Sequence, residues 1–142
     1  LIVVLLGVTL GQVSLYAQNL TPEGLWLHSN ERIQVRIGPC EEYLCGKIIW
    51  LKNPDGEKSS PIADSENPDL DQRGRPVIGM TVLWGLARNG ADLWTEGTIY
   101  NPDDGKTYSA RLTMAGADTL SVKVYKFLPL FGETQVWTRV ED

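Results

Sequence analysis

Two cysteines, one histidine and a group of acids beside two arginines are the residues of this chain best equipped for chemistry. Cys40 and Cys45 flank Glu41-Glu42-Tyr43-Leu44, a spacing that suits a disulfide closing a hairpin turn. So small a loop removes little chain entropy, so the bond serves to fix one turn. The rival readings are a redox pair and a zinc site. Redox motifs usually leave two residues between their cysteines, and zinc needs ligands that are not evident here. His28 alternates with Trp26 on an early strand, and no Gly-x-Ser-x-Gly elbow accompanies it. A lone histidine on a strand reads as a surface or hydrogen-bonded residue ahead of a catalytic base or metal ligand. Asp64, Asp69 and Asp71 lie just before Arg73 and Arg75. Two such carboxylates held close would make the acid and base of a hydrolase. The plainer reading is that Asp64 and Asn67 organise the loop by capping turns, while the arginines pair with loop acids. The Asp/Asn-rich turns at 53–58 and 101–106 lack the alternating ligand spacing of an EF-hand. No catalytic residue, metal or cofactor is assigned on these grounds.

The aromatic residues are the remaining lead. Trp26, Trp50, Trp84, Trp94 and Trp137, with Tyr100 and Tyr108, are many for so short a chain. They either fill a core or line a pocket for an apolar or amphipathic ligand. Trp84 and Tyr108 fall on apolar faces and suit the pocket. Trp94 alternates with Glu96 and Thr98 and is placed outside.

The elements that must position these side chains are strands. Ile33, Val35 and Ile37 interleave with Gln34 and Arg36, and Leu120, Val122 and Val124 with Ser121 and Lys123. Such alternation describes strands wet on one side and buried on the other. The first strand runs from near Leu25 to Ile37, bent around Ser29-Asn30, and a return strand covers Lys47 to Leu51. Ile78, Met80, Val82, Trp84 and Leu86 share one face, and Leu93 to Tyr100 returns with Gly97 as a bulge or bend. Asn101-Pro102-Asp103-Asp104-Gly105-Lys106 is a hairpin signal. Tyr108, Ala110, Leu112 and Met114 line the core face of the next strand, and the last strand is near Thr134 to Val140. The stretch from Lys52 to Val77 is rich in turn formers and reads as one long loop, a candidate lid. Within it, Pro68 to Gln72 suits one helical turn capped by Asn67. The apolar segment Phe127 to Gly132 is expected to pack over a barrel end. Short strands joined by short turns predict an all-β, small antiparallel up-and-down barrel of about eight strands, with an open sandwich as the alternative.

The apolar start from Leu1 to Leu10, followed by residues up to Ala17, reads as a secretory signal peptide over 1–17. It is short of the roughly 20 apolar residues a membrane span needs. Residues 18–142 then form a single barrel domain, periplasmic or secreted, where an oxidising environment favours the Cys40–Cys45 bond. The formal net charge of −5 argues against nucleic acid and against a polybasic membrane patch.

Several phrases, in order, together resemble the bacterial exported family known as domain of unknown function 2147. They are Gly24-Leu25-Trp26, Cys40 with Leu44-Cys45-Gly46-Lys47, Asp64-Ser65-Glu66-Asn67-Pro68, and Arg73-Gly74-Arg75-Pro76. Gly97-Thr98-Ile99-Tyr100-Asn101-Pro102-Asp103-Asp104-Gly105-Lys106, Leu130-Phe131-Gly132 and Gln135-Val136-Trp137-Thr138-Arg139 follow. Glu41 replaces the usual Gly after the first Cys, and Asn101 stands where Asp is more frequent. The resemblance implies a small exported β-barrel-like domain and no settled activity. A looser similarity is to lipocalin-like barrels, which also open on Gly-x-Trp and set a late basic residue against that Trp. Here the pair is Trp26 and Arg139, and the expected stack would close one end of the barrel. The resulting expectation is a non-catalytic barrel binding a small apolar or amphipathic molecule. Trp26, Trp84 and Tyr108 are its candidate contacts, with Arg73 or Arg75 meeting an anionic head group. The alternatives are a filled barrel making protein–protein contacts through Phe127 to Phe131, and a hydrolase using loop carboxylates.

Overall fold

Most strands read above have one apolar and one polar side, the exception being Lys47 to Leu51, which is apolar on both. A sheet that curves until it meets itself hides one apolar side of every strand and leaves no open edge. A computed structural model of the chain, which describes residues 20–53 and 62–142 together with residues 2, 3 and 7, adopts this arrangement. Its strands are β1 (Gly24–Leu27), β2 (Ile33–Cys40), β3 (Tyr43–Leu51), β4 (Thr81–Arg88), β5 (Leu93–Asn101), β6 (Lys106–Gly116), β7 (Thr119–Tyr125) and β8 (Glu133–Val140). Each pairs antiparallel with its neighbour in sequence, and β8 pairs with β1 to close the barrel. The expected up-and-down barrel is what forms, and the sandwich is not. Among the described residues, single 3₁₀ turns at Leu70–Gln72 and Pro129–Phe131 are the helical pieces. No helix among the described residues is long and apolar enough to cross a membrane. The expected leader over 1–17 lies outside the described residues, apart from positions 2, 3 and 7.

Alternating strand directions sort the connections. The β1–β2, β3–β4, β5–β6 and β7–β8 links lie at one end, here the open end. The β2–β3, β4–β5 and β6–β7 turns lie at the other, together with the start of β1 and the finish of β8. At that closed end Trp26 is fully buried and donates from Nε1 to Pro22 O at 2.7 Å. The guanidinium of Arg139 lies over its ring, 4.4 Å from the centroid. It also donates to Thr21 O, Glu23 O and Ala117 O, each at 2.8 Å. Gly24 sits at φ +135°, and a Cβ there would be 2.5 Å from Arg139 Nη1, so both backbone and space demand glycine. The expected Trp26–Arg139 stack is thus present, and Cys40 and Cys45 are bonded across the β2–β3 turn with their Cα atoms 5.7 Å apart.

Several local expectations are corrected. The first strand is two strands, because the chain turns at residues 28–32, where Glu31 takes φ +60°. The return strand starts at Tyr43, four residues early, since the disulfide turn is tight enough for pairing from Cys40↔Tyr43 onward. The 3₁₀ turn is capped by Asp69, whose carboxylate accepts from Asp71 N, and not by Asn67. Most consequential, the single apolar face proposed from Ile78 to Leu86 breaks. β4 begins only at Thr81, and Gly85 at φ +73° opposes a distorted stretch of β5, where Glu96 takes φ +62°. Trp84 therefore points outward, 38% exposed. A register shift between Trp94 and Gly97 turns Trp94 inward, 5% exposed, against its expected outside position. Gly97 serves the bend, as a Cβ there would be 2.4 Å from Leu86 Cδ2.

Replacing Arg139 with Ala removes three bonds to backbone carbonyls and the indole stack together. The Arg139→Ala variant is expected to lose about 2–4 kcal/mol of stability in urea denaturation at neutral pH. A loss below about 1 kcal/mol would show that the plug is incidental to the fold.

Candidate functional site

Large side chains crowd the closed half of the barrel: Trp26, Leu83, Leu86, Trp94, Leu112, Met114 and Leu120 are all buried there. Towards the open end the inward positions carry smaller groups, Val35, Ile48, Val82, Ile99 and Val124, and they leave a cavity of about 770 Å³. Trp137, 1% exposed, lines the same space from β8. The mouth is framed by the β1–β2 turn with His28 and Asn30, the β5–β6 hairpin from Asn101 to Asp104, and the β7–β8 connection from Tyr125 to Glu133. The aromatic lead therefore resolves both ways, with filling in one half of the barrel and lining in the other. A volume of this order suits a drug-sized molecule.

Polar groups gather where the cavity opens. The His28 ring is tilted against Trp137 with centroids 5.5 Å apart. Its Nδ1 accepts from the backbone N–H of Asn30 at 3.0 Å, which leaves the neutral ring's proton on Nε2. Burial pushes the His28 pKa below its ordinary value, against the opposing pull of Gln135, Glu133, Asn30 and Asp103. Tyr108 donates from its hydroxyl to Asp104, and the ammonium of Lys126 lies 5.5 Å from the Tyr108 ring centroid. The Asp104 bond holds the Tyr108 hydroxyl above its usual pKa. Desolvation opposes ionisation of Asp104, yet bonds from Tyr108 and Lys106 N, with the charges of Lys106 and Lys126, bring its pKa below normal.

The described part of the long loop, residues 62–77, is pinned beside the mouth. Asp64, fully buried, accepts from Tyr100 Oη at 2.7 Å and Asn67 Nδ2 at 2.7 Å, and pairs with Arg75 Nη2 at 3.4 Å. Asn67 Oδ1 in turn accepts from Asp69 N, and Asn67 O accepts from Arg73 Nε. Burial, reinforced by Asp64, raises the Tyr100 pKa to about 12. Glu66 O lies so close to Gly105, at φ +70°, that any side chain there would collide with it.

Of the side chains expected at a pocket, Tyr108 lines this one. Trp26 is sealed under Arg139 at the far end, and Trp84 faces solvent. Arg73 and Arg75 are held by the loop itself and do not reach the cavity. None of the described residues from 62 to 77 lines it, and part of the expected lid, residues 54–61, lies outside the described residues. The mouth is instead flanked by Phe127, Leu128 and Phe131, all well exposed. Asp64 does not face the cavity either, so the loop acids do not meet there as an acid and base. Among the described residues, no three His, Cys, Asp or Glu side chains are grouped to hold a metal ion. Sequence reasoning left Trp137 undecided between filling and lining, and missed Gln135 and the mouth acids. The signal of these last was positional, since they stand near strand ends that the alternating topology sends to one rim.

The sequence profile described as "Uncharacterized protein conserved in bacteria (DUF2147)" matches residues 24–139. No curated protein matches the chain significantly. Among solved structures, the chain is similar to protein HP1028 from the human pathogen Helicobacter pylori, described as belonging to the lipocalin family. The match has a TM-score of 0.70 and 24% identity over 84% of this chain and 83% of that one, and it concerns the fold.

Two outcomes follow from these contacts. Tyr100→Phe withdraws one of three partners from a buried carboxylate, and is expected to cost about 1–3 kcal/mol in chemical denaturation; a neutral result would mean that Asp64 does not anchor the loop. His28 binds its proton less readily in the folded chain than in the unfolded one. Its contribution to stability is therefore complete well above pH 6.5 and falls as pH drops through and below that value. The slope of stability against pH over this range is expected to flatten in His28→Gln, measured by urea titrations at stepped pH.

Proposed function

The chain belongs to the bacterial DUF2147 family, and on that premise we propose that its barrel is a non-catalytic carrier or sensor of a small apolar or amphipathic molecule in the cell envelope. The cavity is the observation that carries this reading. Its walls of Val, Ile and Trp take an apolar body, and its rim of His28, Gln135, Tyr108 and carboxylates takes a polar end. The lipocalin-like fold is compatible with such binding. Export rests on the leader read over residues 1–17, and the Cys40–Cys45 disulfide is consistent with an extracytoplasmic location.

One observation favours a second reading. Phe127, Leu130 and Phe131 are each at least 80% exposed, a patch suited to a protein contact. A contact module of this kind was expected with a filled barrel, and the open half of this barrel is not filled.

The neutral apolar dye N-phenyl-1-naphthylamine tests the proposal. Its fluorescence should rise on binding the wild-type protein, and Val82→Trp, which fills the cavity, should weaken binding by at least about tenfold. Native mass spectrometry of protein from its own host should show a lipid-sized adduct. Absence of both the dye signal and the adduct, or equal dye binding by the filled variant, would remove the proposal.

A further inference from the structure

Among the described residues, the charged groups at the mouth are unequal in number. Asp103, Asp104 and Glu133 face the cavity, against Lys126 as the opposing cation. Lys126 is already engaged, lying over Tyr108, which is itself bonded to Asp104. Neither the Asp103 nor the Glu133 carboxylate has a hydrogen bond or ion pair among the described residues, although both lie near enough to His28 to act on its charge. His28 accepts a backbone N–H at Nδ1 and so presents a neutral ring at neutral pH. The two arginines expected to greet an anion are turned to the loop.

The rings at the mouth supply the second half of the argument. Tyr108, Tyr125, Phe127 and Phe131 line the rim, and Trp137 lies deeper. Aromatic faces carry a negative quadrupole and attract cations, quaternary ammonium groups among them. Free carboxylates beside such faces favour a positive head and oppose a negative one. The net charge of −5 acts in the same direction at longer range.

We infer that the occupant of this cavity is a cationic amphiphile, with an apolar body inside the barrel and an amine or quaternary ammonium head between Asp103, Glu133 and the rim aromatics. The inference rests on the cavity being a ligand site, and it reverses the head-group charge expected from Arg73 and Arg75.

Displacement of N-phenyl-1-naphthylamine by dodecyltrimethylammonium, dodecyl maltoside and dodecyl sulfate, each below its micelle concentration, separates the possibilities. The ammonium compound should displace the dye at a concentration at least about tenfold lower than the sulfate, with the maltoside between them. The Asp103→Asn/Glu133→Gln double variant should lose the preference for ammonium over maltoside, with the two compounds displacing the dye at similar concentrations. Added salt should narrow the same gap. Equal displacement by all three, or a preference for sulfate, overturns the inference and leaves the cavity reading standing. Failure of the dye itself to bind overturns both.

Discussion

A strand of four residues holds this barrel shut. β1 bonds to β2 along one edge and to β8 along the other, so the ring is continuous only through Gly24–Leu27. The seam is specified by side chains as well as backbone. Trp26 and Arg139 are direct partners in the β1–β8 register, and the same two residues stack beneath the closed end. A slip of one residue would send one partner inward and the other outward, so the stack and the register enforce each other. Arg139 then ties the segment before β1 and the β6–β7 turn to the same point through three carbonyls. Everything proposed for the interior depends on this closure, because a sheet that failed to meet itself would enclose nothing.

Closure alone does not make a cavity, since a ring of eight strands has an interior that side chains can just fill. Here the filling is graded along the barrel axis. Trp26, Trp94, leucines and Met114 occupy the closed half, whereas valines and isoleucines, with Trp137, face one another across the open half. The described part of the β3–β4 connection, residues 62–80, lines none of this space because it is drawn to the side. Its anchor is one buried carboxylate, Asp64, with partners from the strand wall and from the loop itself. The loop acids and arginines are thereby used in architecture.

Period-two alternation made the barrel readable in advance. β6 alternates from Tyr108 to Met114 and β7 from Leu120 to Val124, with the irregular step only at Met114/Gly116, and Ala110, Leu112, Met114, Leu120 and Val122 are buried as their positions demand. The disulfide and the Trp26–Arg139 stack were also legible, one from spacing in an exported chain and one from a family likeness. Trp84 and Trp94 were misplaced for one reason. Gly85 and Glu96 adopt positive φ, and the bulge before Gly97 inserts an extra step, so parity counted from either side of the distortion gives the wrong face. Arg73 and Arg75, offered as contacts for an anionic head group, are bonded to Asn67 O and to Asp64, which is the plainer of the two readings their neighbouring acids allowed. The cavity was the least legible feature, as no residue encodes it. It is the sum of several modest inward side chains on different strands.

The antiparallel count places the start of β1 and the finish of β8 on the same side. β1 leads away from the Arg139 plug and β8 returns to it, while Arg36 clasps Asp142 in a two-pronged ion pair on the outer wall. A handle joined at Leu20 or at Asp142 is thus attached opposite the rim. If the molecule were immobilised through either of these two residues, on a bead, a fusion partner or a surface, its aperture would face the surrounding medium.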